Sequence, residues 1–206
     1  MGCAESIQAT INEFRERGFT VLPRQFSSHL IEACRNAFWP RLLAYLESGP
    51  APNRGPHRHF LPMPFDSPCF APEFFFDSRV LSIVRNLMGE QVDADQWGCD
   101  VPLRGSEYQQ LHQDYQRPLF PELPELVLPP YAIIVSFGLC PITRENGPIE
   151  IAPGTHRLTK EQVLCAADNS ETSVESVPLN IGDVMIRHPW ASIEVHRTSL
   201  RLLAPS

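Results

Sequence analysis

Residues 109–116 read QQLHQDYQ and set a histidine and an aspartate two positions apart in a stretch that alternates like a β-strand over 107–115. Side chains at i and i+2 of a strand leave the same face. His112 and Asp114 are therefore expected to face a common interior, with Leu111 and Gln113 turned away. An imidazole and a carboxylate held together are two thirds of the 2-His-1-carboxylate triad that binds non-haem iron. The bare H-x-D pattern is short, and a structural His–Asp pair is its plain alternative, so the surrounding sequence decides the reading.

The chain has 206 residues with 43% hydrophobic content, enough for one domain with its own core. Its 17 basic and 24 acidic residues give a formal charge of −7, with no basic block, which argues against a nucleic-acid partner. Six scattered cysteines with no C-x-x-C fit neither a disulfide framework nor a zinc ribbon, and suit a reducing, cytoplasmic setting. The uncharged run from Leu126 to Thr143 is broken by prolines and reads as a buried strand with flanks, so no transmembrane segment is expected. The opening MGCAES offers Gly2 and Cys3 as acylation candidates. The competing reading makes Glu5 to Arg17 the first helix, with Ile7, Ile11 and Phe14 on one face.

Further along, GFTVLP reads as a strand. Ser27 or Ser28 caps a helix through Ile31, Cys34 and Phe38 that Pro40 should bend or end. The proline-rich segment 49–73 reads as a long loop, a lid candidate, carrying His57 and His59 as solvated or substrate-facing groups. Ser78 is expected to cap a short helix that stops at Gly89. From about residue 91 the pattern becomes β, with strands expected at 91–98, 107–115, 131–140, 148–152, 173–178 and 182–187. Short strands following helices suggest a barrel or sandwich with helices packed outside.

GSEYQQLHQDYQRPLFPE, then NGPIEIAPGTHR, then GDVMIRHPW together resemble the phytanoyl-CoA dioxygenase family of Fe(II)/2-oxoglutarate oxygenases. GFTVLP and RHFLPMPF add to the likeness, which runs over most of the chain. The resemblance implies a mostly β fold, the double-stranded β-helix (a jelly-roll, cupin-like barrel), with N-terminal helices. Residues 1–206 would form a single domain: a helical or mixed part over 1–90, a β-helix core over 91–191, and a departure from the family over 192–206. It implies Fe(II) and 2-oxoglutarate as cofactors and a small organic molecule as substrate. His112 and Asp114 would be metal ligands. Gln110, two residues before His112, would reach the oxo acid. Gly147 and Gly154 would serve tight turns, and His156 would be a structural hydrogen-bonding residue.

The end of the chain departs from that pattern. Soon after GDVMIRHPW the family carries a stretch like H-R-G-T-P-N, whose histidine is the third iron ligand. An arginine about eleven residues later pairs with the far carboxylate of the oxo acid. Here the chain reads ASIEVHRTSLRLLAPS, and the ligand position falls on Ile193, which cannot bind iron. His196 lies three residues further. The residues Ser192 to Ser199 can be encoded as TCC ATC GAG GTA CAC CGA ACA AGT. From its third base this reads His-Arg-Gly-Thr-Pro-Asn-Lys, so a shifted reading frame near Ser192 is the expected cause, and an incomplete C-terminal strand the expected consequence. Two alternatives stand beside an oxygenase: a non-catalytic barrel, and a metal protein using His112, Asp114 and His196 without any oxo acid.

Overall fold

The computed structural model describes residues 2–114, 129–168 and 173–195. Helix α1 (Gly2–Arg17) contains the MGCAES stretch after Met1 and buries Ile11 and Phe14. It ends at Gly18, whose amide bonds to the Phe14 carbonyl at 2.8 Å. Gly18 has φ +84°, and a Cβ there would meet His156 Nδ1 at 2.6 Å, so only glycine turns the chain here. The chain then enters β1 (Phe19–Leu22).

Helix α2 (Ser28–Glu47) is capped by Ser27, whose hydroxyl accepts from the Leu30 amide at 3.2 Å. Pro40 does not end it. The buried stripe Ile31, Cys34, Phe38 and Leu42 continues on both sides of the proline, and its packing outweighs the one lost backbone hydrogen bond. Short α3 (Pro72–Phe75) precedes α4 (Ser78–Met88). The cap of α4 is Asp77 and not Ser78: its carboxylate accepts from the amides of Arg79 and Val80.

Segment 49–73 is not one open loop. It contains β2 (Arg58–Pro62), paired antiparallel with β3 (Gly98–Pro102), and the buried alternate residues His59 and Leu61 pin it down. The strand expected over 91–98 begins only at Gly98; the run before it is mostly exposed and carries Asp93 and Asp95, poor strand formers. The remaining strands are β4 (Gln109–His112), β5 (Ile134–Phe137), β6 (Ile149–Ile151), β7 (Glu175–Val177), β8 (Val184–Arg187) and β9 (Ile193–Val195). Helix α5 (Lys160–Asp168) and β9 were not expected from sequence.

The strands form a three-stranded sheet ordered β1-β8-β5, a four-stranded sheet ordered β4-β9-β6-β7, and the β2-β3 hairpin pair. Strand β8 is central and its faces divide the core. Val184 and Ile186 join the large outer cluster with Ile11 and Phe14 of α1, Ile31 and Phe38 of α2, and Val80 and Ile83 of α4. Met185 faces the other way, into a cluster with Phe19, Ile151, Val177 and Ile193 that draws on both sheets. Each fully buried side chain of this size contributes about 1.5–3 kcal/mol. By alternation Arg187 shares the Met185 face, so a cation enters the space between the sheets.

The turn expectations hold at Gly147 (φ +86°) and Gly154 (φ +80°). Among the described cysteines, Cys34, Cys69, Cys99, Cys140 and Cys165 are free thiols, and burial pushes Cys34 up to about 12. No helix among the described residues is long and apolar enough to cross a membrane.

Candidate metal centre

Strand β4 ends at His112, and Asp114 lies in the bend that follows, so the aspartate is set by a turn and not by the strand itself. Two contacts clip this bend to the segment after β8. The Asp114 amide donates to the Pro189 carbonyl at 3.0 Å, and Gln113 Nε2 donates to the Trp190 carbonyl at 2.8 Å. His112 Nδ1 donates to the Gln110 carbonyl at 2.8 Å, since a carbonyl can only accept. The proton is thereby fixed on Nδ1, and Nε2 keeps its lone pair.

His112 Nε2 faces Asp114 Oδ1 at 3.7 Å. That is too long for a hydrogen bond. It is shorter than twice a metal–ligand bond of about 2.1 Å, so one ion can bind both atoms. The pair is partly open, with side-chain exposures of 38% and 27%, which leaves room for further ligands on its outer side. A lone pair on imidazole nitrogen and a carboxylate oxygen suit a first-row divalent metal. Among the described residues no three His, Cys, Asp or Glu side chains gather as a metal cluster, so the donors described are the pair His112 and Asp114.

Strand β9 lies against β4 with His112 directly opposite Ile193. Side chains of an antiparallel pair at that register stand on one face with Cβ atoms about 4.5–5.5 Å apart. Ile193 is 4% exposed and packs into the inter-sheet cluster. The residue beside His112 across the sheet is therefore a hydrocarbon. His196, the other residue weighed as a ligand from sequence, lies outside the described residues.

Sequence reasoning missed two arginines. Arg187 Nη2 donates to Asp114 Oδ2 at 2.5 Å from a side chain only 8% exposed. Arg58, on β2, donates from Nη1 to Gln109 Oε1 at 2.6 Å. Its Nε stands 3.7 Å from Asp100 Oδ2, and its Nη2 is buried without a hydrogen-bond partner among the described residues. Burial pulls the Arg58 guanidinium down from its usual value; Asp100 opposes this and Arg54 adds to it. Asp100 is pushed up by burial, although about half of its side chain meets solvent; Arg58 and Arg54 oppose the rise and Asp114 adds to it. Arginine in a β-rich stretch carries no signal of its own, because its burial is decided by strand pairing.

Of the remaining sequence candidates, the Gln110 side chain is exposed, and its backbone carbonyl is the group that touches His112. His156 is structural, with Nε2 on the Arg15 carbonyl at 3.1 Å. His59 is buried and bonded to the Tyr45 hydroxyl at 3.2 Å, so it does not face solvent, whereas His57 does.

The architecture is that of the cupin-like, non-haem 2-oxoglutarate oxygenases. It is similar to the non-haem alpha-ketoglutarate-dependent carbocyclase SnoK of nogalamycin biosynthesis (TM-score 0.67, 16% identity, 95% of this chain and 79% of that one). It is similar to AviO1 from Streptomyces viridochromogenes Tue57 (TM-score 0.67, 17% identity, 95% and 89%). A third likeness is to HygX from Streptomyces hygroscopicus, a structure holding nickel, 2-oxoglutarate and hygromycin B (TM-score 0.61, 20% identity, 95% and 82%). No curated protein is significantly similar in sequence. The chain belongs to the phytanoyl-CoA dioxygenase family, whose model matches residues 14–192. Its ancestry is that of the Fe(II)/2-oxoglutarate-dependent oxygenases.

Proposed function

We propose that this chain holds a divalent metal, Fe(II) by descent, through His112 Nε2 and Asp114 Oδ1, at a site that lacks the third protein ligand of an active oxygenase. The observation that carries the reading is the pairing of His112 with Ile193: one donor ends β4, the other lies in the bend just after it, and a hydrocarbon stands where β9 would complete the triad. In a complete centre the metal would bind 2-oxoglutarate and oxygen, and decarboxylation of the oxo acid to succinate would drive oxidation of a small organic substrate. His112 and Asp114 supply the donors. Arg58, buried with a free Nη2, is a cation able to meet a carboxylate of the oxo acid. Gln110, the sequence candidate for that contact, has an exposed side chain and is the weaker one.

A non-catalytic descendant of the fold, a pseudoenzyme, follows from the same observation. The shifted reading frame near Ser192 remains the proposed origin of Ile193, and the nucleotide sequence tests it: codons incompatible with His-Arg-Gly-Thr-Pro-Asn-Lys in the second frame would remove the idea. The functional test is succinate release with Fe(II), ascorbate and 2-oxoglutarate. The expected result is no release above the protein-free reaction. Turnover at a steady rate, lost in His112→Ala, would show that the site is complete and that the Ile193 argument is wrong.

A further inference from the structure

We infer that Arg187 is the positioning residue of this centre: it takes Asp114 by Oδ2 so that Oδ1 alone is presented beside His112 Nε2. The inference rests on the metal-site reading above and extends it from the donors to the group that aims one of them.

Arg187 is set by its place in the sheet and by its burial. It lies on β8, the central strand of its sheet, where Phe19 of β1 and Ile134 of β5 are its register partners on either side. The residue is 6% exposed. Its Nη2 contacts Asp114 Oδ2 at 2.5 Å, while its Nε and Nη1 have no hydrogen-bond partner among the described residues. A guanidinium keeps its charge inside a protein, and a buried charge requires a counter-charge. The hydrogen bonding of this side chain is thus spent on one carboxylate oxygen.

The same segment also grips the backbone of that aspartate. Pro189, two residues after Arg187, accepts the Asp114 amide at 3.0 Å. Main chain and side chain of Asp114 are therefore both fixed from β8 and the turn that follows it. His112 is fixed separately, by the Gln110 carbonyl. With Oδ2 drawn to Arg187, the oxygen that Asp114 turns toward His112 is Oδ1, 3.7 Å from Nε2. Without the guanidinium, a carboxylate 27% exposed could rotate, turn toward solvent or chelate with both oxygens.

The test is Co(II) titration of the full chain, without oxo acid, followed by visible absorption and by calorimetry. The variants are Arg187→Met, Arg187→Lys and His112→Ala, each checked for folding by circular dichroism. Arg187→Met is expected to weaken Co(II) binding by about 10-fold or more, within the usual 10–100-fold range for partners of a ligand, and to change the absorption bands as the carboxylate changes its mode. Arg187→Lys should recover part of the affinity, which a mere packing role would not explain. If Arg187→Met does not fold, Arg187→Lys alone decides: wild-type affinity and bands in a folded Arg187→Lys would overturn the inference, because a lysine cannot reproduce the planar grip. Wild-type affinity and bands in Arg187→Met would overturn it outright while leaving the metal site standing. A wild-type chain that binds no Co(II), or binds it equally well as His112→Ala, would instead overturn the metal reading, and the positioning role with it.

Discussion

Strands β4 and β9 lie side by side and pair at His112 and Ile193, yet they meet the space between the sheets with opposite chemistry. At the end of β4 and in the bend after it, hydrogen bonds position the two side chains: Nδ1 of His112 is tied down, Oδ2 of Asp114 is tied down, and the two remaining atoms face each other. On β9 the matching position is filled by an aliphatic side chain that packs with Ile151, Val177 and Met185. The proposed donor pair is thus preorganised at the end of one strand and faced by hydrocarbon on the other. Preparation of a ligand and presence of its neighbours are separate properties, and a fold can keep the first where the second is missing.

That contrast can be sharpened by removing what β4 prepares. Asp114→Ala takes the counter-charge from buried Arg187. Breaking a buried pair typically costs about 3–5 kcal/mol, and the partial exposure of Asp114 reduces this to roughly 2–4 kcal/mol. Urea denaturation should show a loss of that size, and the double variant Asp114→Ala/Arg187→Met should be less destabilised than Asp114→Ala alone. Loss below about 0.5 kcal/mol would mean that Arg187 finds water or another partner, and that β4 is less prepared than its geometry indicates.

A smaller effect tests how β9 is held. Thr155 Oγ1 accepts from the Ser192 amide at 2.9 Å and donates to the Ala152 carbonyl at 2.6 Å, fixing the entry to β9. Thr155→Val leaves that buried amide without a partner and should cost about 1–3 kcal/mol by the same denaturation. An unchanged midpoint would show that Ile193 is placed by strand pairing alone.

Much of this was legible in the sequence, for identifiable reasons. Helices α1, α2 and α4 follow from apolar periodicity and short polar caps, although the cap of α4 moved by one residue because Asp77 can bond two amides at once. The H-x-D pair was found because strand alternation is a local rule, even though Asp114 proves to lie in the bend beyond β4. The expectation that a ligand position falls on Ile193 came from spacing within the family pattern, and the strand register sets Ile193 opposite His112. Arg187 and Arg58 were not legible: each becomes part of the site only when β8 meets β1 and β5, or β2 meets β3, and pairing partners far apart in sequence leave no local trace. Strand β2 was hidden for a related reason, since the prolines around it read as loop until β3 arrives to pair with it.

The most direct test of the central claim is an anaerobic calorimetric titration with Fe(II) of the wild type beside Ile193→His. The account predicts weak, easily chelated binding by the wild type. It predicts binding tighter by about 100-fold or more in Ile193→His, beyond the 10–100-fold typical of outer partners, because a third donor is added directly across from His112. A wild type that already binds as tightly as Ile193→His, and loses that affinity in His196→Ala, would contradict it by assigning the third donor to His196.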